Sequence, residues 1–562
     1  MKGKKRVEGV NSVEQKVDKI RKDEVRKALK RMKSGKAVGP DDIPVEVWKC
    51  LGEAAVGFLT SLFNRVLESE RMPEEWRRNV LVPIFKNKDD VKSCSNYRGI
   101  KLMSHTMKLW ERVVEAKLRK VVEICEQQYG FMPRKSTTDV IFALRILMKY
   151  RDGQRELHCV FVDLEKAFDR VPREELWYCM RKSGVAEKYV RVVQDMYERN
   201  RTVVRCAVGQ TEEFKVEVGL HQGSALSPFL FAIVMDQLSE EVRQESPWTM
   251  MFADDIVICS ESREQVEENL ERWRFALERR GMKVSRSKTE YMCVNEREGS
   301  GTVRLQGEEV KKVQEFKYLG LTVQSNGESG KEVKKRVQAG WNGWRKVSGV
   351  LCDRKISARI KGKVYRTVVR AAMLYGLETE SLRKRQESEL EVAELKMLRF
   401  SLGVTRLDRI RNKYIRGTAH VGRLGDKVRE ARLRWFGHVQ RRETLPEGPR
   451  GTPRPAERQS LQRVLGLPWA SPRWGMPGTP PQGHVLGHPK QMPKPPQLSP
   501  FDVEEQRLYS ELLPGDRAPY PISKGAPRHP TAEAHFGRSY PGSYPYGHDP
   551  ELMAIGESWD VD

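Results

Sequence analysis

The sequence predicts a mixed α+β protein, because strand patterns surround its acidic motifs and helical patterns follow them. Residues 250–258 indicate a β-hairpin in which two apolar runs enclose Asp254 and Asp255. Residues 157–162 are apolar and β-prone, and they open toward a helix after Asp163. Residues 333–344 and 356–370 repeat apolar side chains at helical spacing. We therefore expect a sheet that carries the acidic residues, followed by a helical region.

The acidic residues indicate a metal site. Two ionised carboxylates at one turn repel each other, and a divalent cation supplies the counter-charge. Taken alone, an Asp-Asp pair is more often a solvated turn, and Asp163 alone is more often a helix N-cap. Three Asp on neighbouring strand ends, however, can hold two Mg²⁺ ions that clamp the attacking and leaving oxygens of a phosphoryl displacement.

A loop of small residues lies between the two acidic motifs. Residues 219–228 contain Gln222 and Gly223 and run into an apolar helix predicted at residues 229–238. Small residues let a backbone approach a flat group, although a lone Gly-rich turn is as often a plain loop. The order of strand-end Asp, Gln-Gly loop and Asp-Asp hairpin is what makes the pattern specific.

In this order the motifs resemble the reverse transcriptases of non-LTR (LINE-type) retrotransposons, from about residue 33 to about residue 442. The matching blocks lie at residues 36–44, 76, 82–86, 96–100, 128–131 with 134, 136 and 137, 163, 222–223, 252–255, 281–284 with 288–290, 316–320 and 432–439. The resemblance implies a right-hand polymerase of fingers, palm and thumb, with an antiparallel palm sheet and a helical thumb.

The expected domain boundaries combine this resemblance with changes in composition. We expect a charged helical lead-in at residues 1–30, fingers at 31–155, a palm at 156–325, and a helical thumb with its extension at 326–442. Residues 443–562 hold 22 of the 30 prolines without sustained periodicity. This predicts a mostly disordered Pro- and Gly-rich tail with one short helix near residues 503–512.

The resemblance implies catalytic roles for four residues. Asp163, Asp254 and Asp255 would bind two Mg²⁺ ions, with Mn²⁺ as a possible substitute. Lys288 would protonate the leaving pyrophosphate, although a single lysine is usually a solvated surface charge.

The resemblance also implies a nucleotide site. Gln222 and Gly223 would line the nascent base pair, and Phe168 would reject a ribose 2′-OH and so favour dNTPs. As an alternative, Phe168 is a core aromatic, and the two roles are compatible. Arg98 and Arg134 would cradle the triphosphate, because the guanidinium fork matches phosphate geometry.

The charge balance fits a polyanionic partner. The chain has 102 Lys+Arg against 77 Asp+Glu, a formal net charge of +25. In residues 356–370 the apolar stripe that includes Ile360 and Val368 is expected to pack on neighbouring helices. The basic residues between them are expected to contact a nucleic-acid backbone, namely Lys361, Lys363, Arg366 and Arg370. The implied partners are an RNA template, a DNA primer and dNTPs.

No apolar run predicts a membrane span or a signal peptide. The nine cysteines are scattered singly, without a CxxC pair, which predicts reduced thiols in the nucleus or cytosol.

Some features depart from the family pattern. Complete elements carry an endonuclease domain ahead of the polymerase, whereas this chain starts almost at the fingers, and Glu380 stands where the family has an apolar or aromatic residue. We therefore expect a truncated or chimeric copy that lacks the endonuclease. A catalytically silent nucleic-acid-binding relic and an RNA-dependent RNA polymerase are the alternatives. Ala253 before the Asp pair and Phe168 favour DNA synthesis.

Overall fold

The computed structural model describes residues 17–86, 90–150, 156–245, 248–296, 301–326, 330–380 and 382–440. The predicted tail at residues 443–562, with its short helix near residues 503–512, lies outside the described residues, as does the lead-in before residue 17.

The described chain has the mixed α+β character that the sequence predicts. Its helices are α1 (Lys22–Arg31), α2 (Val45–Cys50), α3 (Gly52–Ser69), α4 (His105–Leu118), α5 (Thr137–Tyr150), α6 (Ala167–Arg170), α7 (Arg173–Lys182), α8 (Glu187–Tyr197), α9 (Ser227–Ser239), α10 (Arg263–Glu278), α11 (Gly330–Lys346), α12 (Ser348–Cys352), α13 (Ala358–Val364), α14 (Ala371–Leu374), α15 (Lys384–Leu402), α16 (Asn412–Thr418) and α17 (Leu424–Gln440). Its strands are β1 (Arg78–Phe85), β2 (Tyr97–Leu102), β3 (Leu157–Val162), β4 (Arg201–Cys206), β5 (Gly209–Gln210), β6 (Phe214–Lys215), β7 (Thr249–Phe252), β8 (Asp255–Ser260), β9 (Glu290–Val294), β10 (Arg304–Leu305), β11 (Glu308–Glu309), β12 (Lys311–Lys312), β13 (Glu315–Tyr318) and β14 (Leu321–Gln324).

A five-stranded sheet, in the order β12-β9-β3-β8-β7, holds the acidic motifs. Every residue of β3 is buried, because its side chains alternate between two apolar layers. Val160 and Val162 pack in the layer that includes α9 and α10, whereas Cys159 and Phe161 pack in the layer that includes α5. The expectation of an antiparallel sheet holds for the four longer strands, but β12 pairs with β9 in parallel.

The predicted hairpin is confirmed. Phe252 at the end of β7 pairs with Asp255 at the start of β8, so Ala253 and Asp254 form a two-residue turn. Ala253 has φ +57°, the left-handed conformation that tight hairpin turns require.

The N-terminal part of the described chain combines a second sheet with helices α1 to α4. In this sheet β1 pairs antiparallel with β2 and parallel with β4, which β5 and β6 extend. Helix α1 falls within the expected charged lead-in, yet its Val25 and Leu29 are buried, and it packs against α3 and α4. The narrow apolar face of α1 therefore makes it part of this N-terminal core.

Residues 330–440 are mainly helical and enclose their own apolar core. The predicted apolar stripe is wrong at two positions, since Ile360 and Val368 are exposed while Tyr365 and Val369 are buried. The buried face is already shifted by one residue within α13, at Lys361 and Gly362, where a Cβ on Gly362 would overlap the Ala419 carbonyl. A π-helical stretch, Tyr365–Arg370, follows between α13 and α14 and continues this face through Tyr365 and Val369.

Helix α17 and the segment before α15 contact helix α5. Trp435 packs edge-on against Phe142, with ring centroids 5.6 Å apart. Glu380 forms an ion pair of 3.0 Å with Arg145, and both side chains are largely buried. The charged residue at position 380 therefore neutralises a buried arginine, which an apolar residue there could not do.

All nine cysteines lie in the described ranges, and none of them forms a disulfide. In those same ranges, no helix combines the length and the apolar content that crossing a bilayer requires.

We predict that replacing Glu394, which is buried in the C-terminal core, destabilises that core strongly. Arg370 Nη2 donates a 2.6 Å hydrogen bond to Glu394 Oε1, and both side chains are almost fully buried. Glu394→Leu leaves the guanidinium without its counter-charge, which costs about 3–5 kcal/mol. Chemical denaturation monitored by tryptophan fluorescence measures the loss.

Glu389→Leu on the same helix is the matched control. Glu389 pairs with Arg385 on the exposed surface, where an ion pair contributes about 1 kcal/mol or less. Equal losses for the two variants would contradict a special role for the buried pair.

Candidate active site

The three predicted carboxylates come together through strand pairing. Strand β3 pairs with β8 so that Val162 lies opposite Ile256. The next residue on each strand, toward the hairpin tip, is Asp163 or Asp255, so these two stand side by side. Asp254 occupies the turn itself. The Asp163 carbonyl accepts a 2.8 Å hydrogen bond from the backbone N–H of Ser285, which fixes the end of β3.

The electrostatics of the tip follow from this crowding. Burial and the negative charge of Asp163 raise the pKa of Asp254, while Arg98 and Lys288 oppose the rise. Desolvation by the surrounding chain, together with Asp254 and Asp163, raises the pKa of Asp255 to about 7, although the Asp255 side chain keeps an exposed face. The negative charge of Asp163 therefore makes both tip carboxyls harder to ionise.

The segment at residues 127–130 clamps the hairpin tip. Gln128 is completely buried, and its Oε1 accepts hydrogen bonds from the backbone N–H groups of Ala253 at 2.9 Å and Gly130 at 2.8 Å. The N–H of Tyr129 donates to the carbonyl of Met251 at 2.8 Å. A Cβ at position 130 would lie 2.3 Å from the Ala253 nitrogen, so only glycine fits there. The turn that carries Asp254 is therefore fixed from outside the hairpin.

The carboxylate oxygens of Asp163, Asp254 and Asp255 are suitable ligands for a divalent cation. Among the described residues, no three His, Cys, Asp or Glu side chains form a ready-made metal-binding group. The three carboxylates still fit such an ion, because Mg²⁺ and similar ions prefer carboxylate oxygens. Burial and neighbouring negative charges raise the pKa values of Asp254 and Asp255, and a bound cation would offset both effects.

Cations surround the acidic site. Lys288 Nζ lies 3.4 Å from Asp163 Oδ1. Desolvation and the nearby charges of Arg98, Lys288 and Lys166 lower the pKa of Lys86, which places these four cations in one neighbourhood. Arg134 is exposed in the loop before α5, and no described contact joins it to the carboxylates. The site thus pairs negative side chains with a positive rim, as a metal–triphosphate complex would require.

The Gln-Gly loop is attached to strand β2. Its Gln222 carbonyl accepts a 2.7 Å hydrogen bond from the Lys101 N–H, and a Cβ at Gly223 would lie 2.5 Å from the Lys101 carbonyl oxygen. Gln222 Nε2 donates to Asp169 Oδ1 at 3.0 Å. The glycine at 223 is therefore required by close backbone approach.

A buried carboxyl group holds the next residues of this loop. Glu111 of α4 accepts hydrogen bonds from Ser224 Oγ at 2.7 Å and from the Ala225 N–H at 2.8 Å. Burial raises the pKa of Glu111 to about 7, and these two hydrogen bonds oppose the rise. Glu111 therefore links an N-terminal helix to the predicted nucleotide site.

Phe168 has the packing contacts of the core aromatic that the sequence analysis gave as an alternative. Its ring stacks on Phe231 with centroids 4.4 Å apart and meets Phe131 edge-on at 6.1 Å. The Phe168 side chain nevertheless remains only half-buried, and its carbonyl accepts a 2.7 Å hydrogen bond from the Leu220 N–H. The ring is thus supported by the core beside the loop that leads to Gln222.

The four predicted nucleic-acid-binding residues of the C-terminal helices divide into two pairs. Lys363 and Arg366 are exposed, and Arg366 also donates to the His420 carbonyl at 2.7 Å. Lys361 is 7% exposed and donates to the Ser401 carbonyl at 2.8 Å, while Arg370 is 4% exposed and pairs with Glu394. The prediction for Lys361 and Arg370 is therefore corrected, because both support the core.

Sequence reasoning missed several functional candidates. Lys86, Lys166 and Glu111 carried no predicted role, and Gln128 entered only as part of a matching block. Lys86 directly follows strand β1, and this position at a strand end was the one available sequence signal. Only the pairing of β1 with β2 shows that Lys86 lies near Arg98. For Glu111 no sequence signal exists, because its partners lie more than a hundred residues away.

The comparisons with known proteins agree with this geometry. Residues 85–323 match the family described as reverse transcriptase (RNA-dependent DNA polymerase), and all three acidic residues fall inside the match. The chain is 25% identical over 480 residues to the probable RNA-directed DNA polymerase from transposon BS of Drosophila melanogaster, covering 80% of this chain and 52% of that protein.

Two more relatives come from the same organism. The RNA-directed DNA polymerase from mobile element jockey is 23% identical over 426 residues, covering 72% of this chain and 46% of that protein. The putative 115 kDa protein in type-1 retrotransposable element R1DM is 30% identical over 311 residues, covering 53% and 30%. The chain thus spans about half of the first two relatives and less of the third.

We predict that Gln128 holds the hairpin turn through its acceptor oxygen. Gln128→Leu leaves the N–H groups of Ala253 and Gly130 without an acceptor, at about 1–3 kcal/mol for each buried group. Amide hydrogen exchange of the peptide that covers residues 249–258 should accelerate about tenfold or more. Mass spectrometry after timed deuteration measures the rate.

Gln127→Leu is the control, because Gln127 lies next in the chain but donates to the Gln244 carbonyl instead. The same acceleration in both variants would mean that the effect is general loosening of residues 127–130.

Proposed function

Because residues 85–323 carry a reverse transcriptase domain related to those of non-LTR retrotransposons, we propose that this chain is an RNA-directed DNA polymerase. The main structural support for this proposal is the position of three acidic residues. Asp163 stands beside a hairpin tip that bears Asp254 and Asp255, and the pKa values of both tip carboxyls are raised. Such carboxylates are suited to hold the two divalent ions of nucleotidyl transfer.

The carboxylates would hold the metal, most simply two Mg²⁺ ions, with Mn²⁺ as a substitute. When bound, such ions lower the pKa of a primer 3′-OH and neutralise charge on the triphosphate. Lys288 would first exchange its contact with Asp163 for the phosphates, and would then donate a proton to the departing pyrophosphate. Lys86, Arg98 and Lys166 would orient the phosphate oxygens. No described contact supports the same role for Arg134.

The nascent base pair would lie against the Gln-Gly loop. The Lys101 N–H and the Glu111 carboxyl fix the backbone of this loop, so Gln222 and Gly223 offer a preformed surface. Phe168, supported by Phe231, would occupy the space beside the sugar and exclude a 2′-OH.

We assign the architecture accordingly. The N-terminal helices and the β2-β1-β4 sheet would be the fingers, the sheet that carries the three Asp the palm, and residues 330–440 the thumb with its extension. The partners would be an RNA template, a DNA primer and dNTPs, to which the net charge of +25 adds a general attraction.

We predict that Asp254→Asn abolishes DNA synthesis with little effect on nucleic-acid affinity. The substitution removes one metal-binding charge but keeps the shape of the turn, so the rate should fall by about a hundredfold or more. Extension of an oligo(dT) primer on poly(A) RNA with Mg²⁺ and dTTP measures the rate, and anisotropy measures hybrid binding. No extension by a folded wild-type chain that binds the hybrid would indicate the silent relic instead.

We predict that Phe168→Val weakens the discrimination between dTTP and UTP by about tenfold or more, because the smaller side chain makes room for a 2′-OH. The ratio of kcat/KM for the two nucleotides is the measurement. Phe229→Leu, which alters an aromatic residue of α9 that packs against Arg119 instead, is the control and should leave the ratio unchanged. An unchanged ratio for Phe168→Val would leave this residue with only its packing role.

A further inference from the structure

The segment after α15 is exposed and rich in positive charge. It comprises the loop before α16 and the first three residues of α16. Residues 405–414, which we call the basic loop, contain Arg406, Arg409, Arg411 and Lys413. All four are exposed, and none has a carboxylate partner among the described residues. The single acid of this segment, Asp408, accepts hydrogen bonds from the Thr405 N–H and hydroxyl. The basic loop therefore presents a net charge of about +3 to solvent.

Apolar and aromatic side chains are exposed in the same segment. Leu407 is 89% exposed and Tyr414 is 66% exposed. Exposing large side chains beside unpaired cations has no benefit for folding, since burial of a leucine or tyrosine stabilises a protein by about 1.5–3 kcal/mol. A surface that combines cations with an accessible ring is typical of proteins that bind single-stranded nucleic acid.

The basic loop is held in a defined conformation. Arg399 donates hydrogen bonds to the Thr405 carbonyl at 2.9 Å, to the Ile410 carbonyl at 2.8 Å and to Asn412 Oδ1 at 3.0 Å. Just beyond the loop, Ile415 is buried in the helical core. One guanidinium thus bridges both ends of the segment, so the exposed side chains project from a fixed base and lose less entropy on binding.

Four other exposed cations of this chain are paired with carboxylates. Arg26 pairs with Glu53, Lys182 with Glu240, Arg191 with Glu70 and Arg279 with Glu241. The basic loop also lies outside residues 85–323, the segment that matches the reverse transcriptase family. Neither the proposed catalysis nor ordinary surface ion pairing accounts for it.

We propose that the basic loop is a second nucleic-acid-binding surface, which takes single-stranded polynucleotide, with the cations on the phosphates and Tyr414 stacked on a base. The binding does not depend on polymerase activity. A single-stranded part of the template RNA and a displaced DNA strand share this chemistry, so RNA and DNA probes of one sequence are compared.

The experiment measures binding of a fluorescent 20-nucleotide oligouridine to the full chain by anisotropy. Unlabelled template–primer hybrid is present throughout to occupy the catalytic cleft. The test variant combines Arg406→Gln, Arg409→Gln, Arg411→Gln and Lys413→Gln. The matched control combines Arg26→Gln, Lys182→Gln, Arg191→Gln and Arg279→Gln, which removes the same charge from paired positions.

We expect the test variant to bind about tenfold or more weakly near 0.1 M salt. Its slope of log K against log salt should fall by about 3, since each phosphate contact on a single strand contributes about 0.7. Tyr414→Ala should weaken binding about tenfold without changing the slope. The control variant should keep the affinity and slope of the wild type, and thermal melting checks that all variants are folded.

Several results would overturn the proposal. Equal losses of affinity in the test and control variants would mean that only the net charge of the chain matters. Wild-type affinity in the test variant would mean that the basic loop does not bind the probe. An equal loss on duplex DNA with no effect of Tyr414→Ala would exclude single-strand recognition. Loop-dependent binding to phosphatidylserine vesicles but not to RNA would identify a membrane surface instead.

Discussion

The pairing of β3 with β8 is the constraint on which the site depends. It sets Asp163 beside Asp255 at the tip of a hairpin, where like charges oppose one another. The apolar layers on both faces of the sheet hold these strands in register, because a slip of one residue would turn every buried side chain to the other face. Hydrophobic burial thus maintains an arrangement that electrostatics alone would separate.

Three residues from distant parts of the sequence then contact the acidic site or change its electrostatics. Gln128 satisfies the N–H of the strained Ala253, Lys288 lies against Asp163, and Arg98 opposes the rise in the pKa of Asp254. The Gln-Gly loop is fixed in the same way from β2 and α4. Each contact joins segments that would be independent in an unfolded chain, so the site exists only in the assembled structure.

The basic residues of the C-terminal helices fall into two classes. Arg370 and Lys361 are buried. Arg370 pairs with Glu394, and Lys361 donates a hydrogen bond to the Ser401 carbonyl near the end of α15. The cations of residues 405–414 are exposed and lack such partners in the described chain. Net charge alone cannot distinguish the buried cations from the exposed ones. Burial distinguishes them, because a buried cation must be paired, whereas an exposed cation is free to bind a polyanion.

The amino-acid sequence was enough to predict the mixed α+β character, the acidic hairpin, the strand before Asp163 and the helix after the Gln-Gly loop. These features rest on local periodicity and turn chemistry, which act within a few residues. It could not place Gln128 under Ala253 or Glu111 under Ser224, because those hydrogen bonds join residues more than a hundred positions apart. It also misjudged Lys361 and Arg370, since the face that is buried lies one residue away from the apolar stripe, beginning at Lys361 and Gly362. Tertiary structure decided these points, because burial and long-range hydrogen bonding depend on which surfaces meet, and no local pattern encodes that.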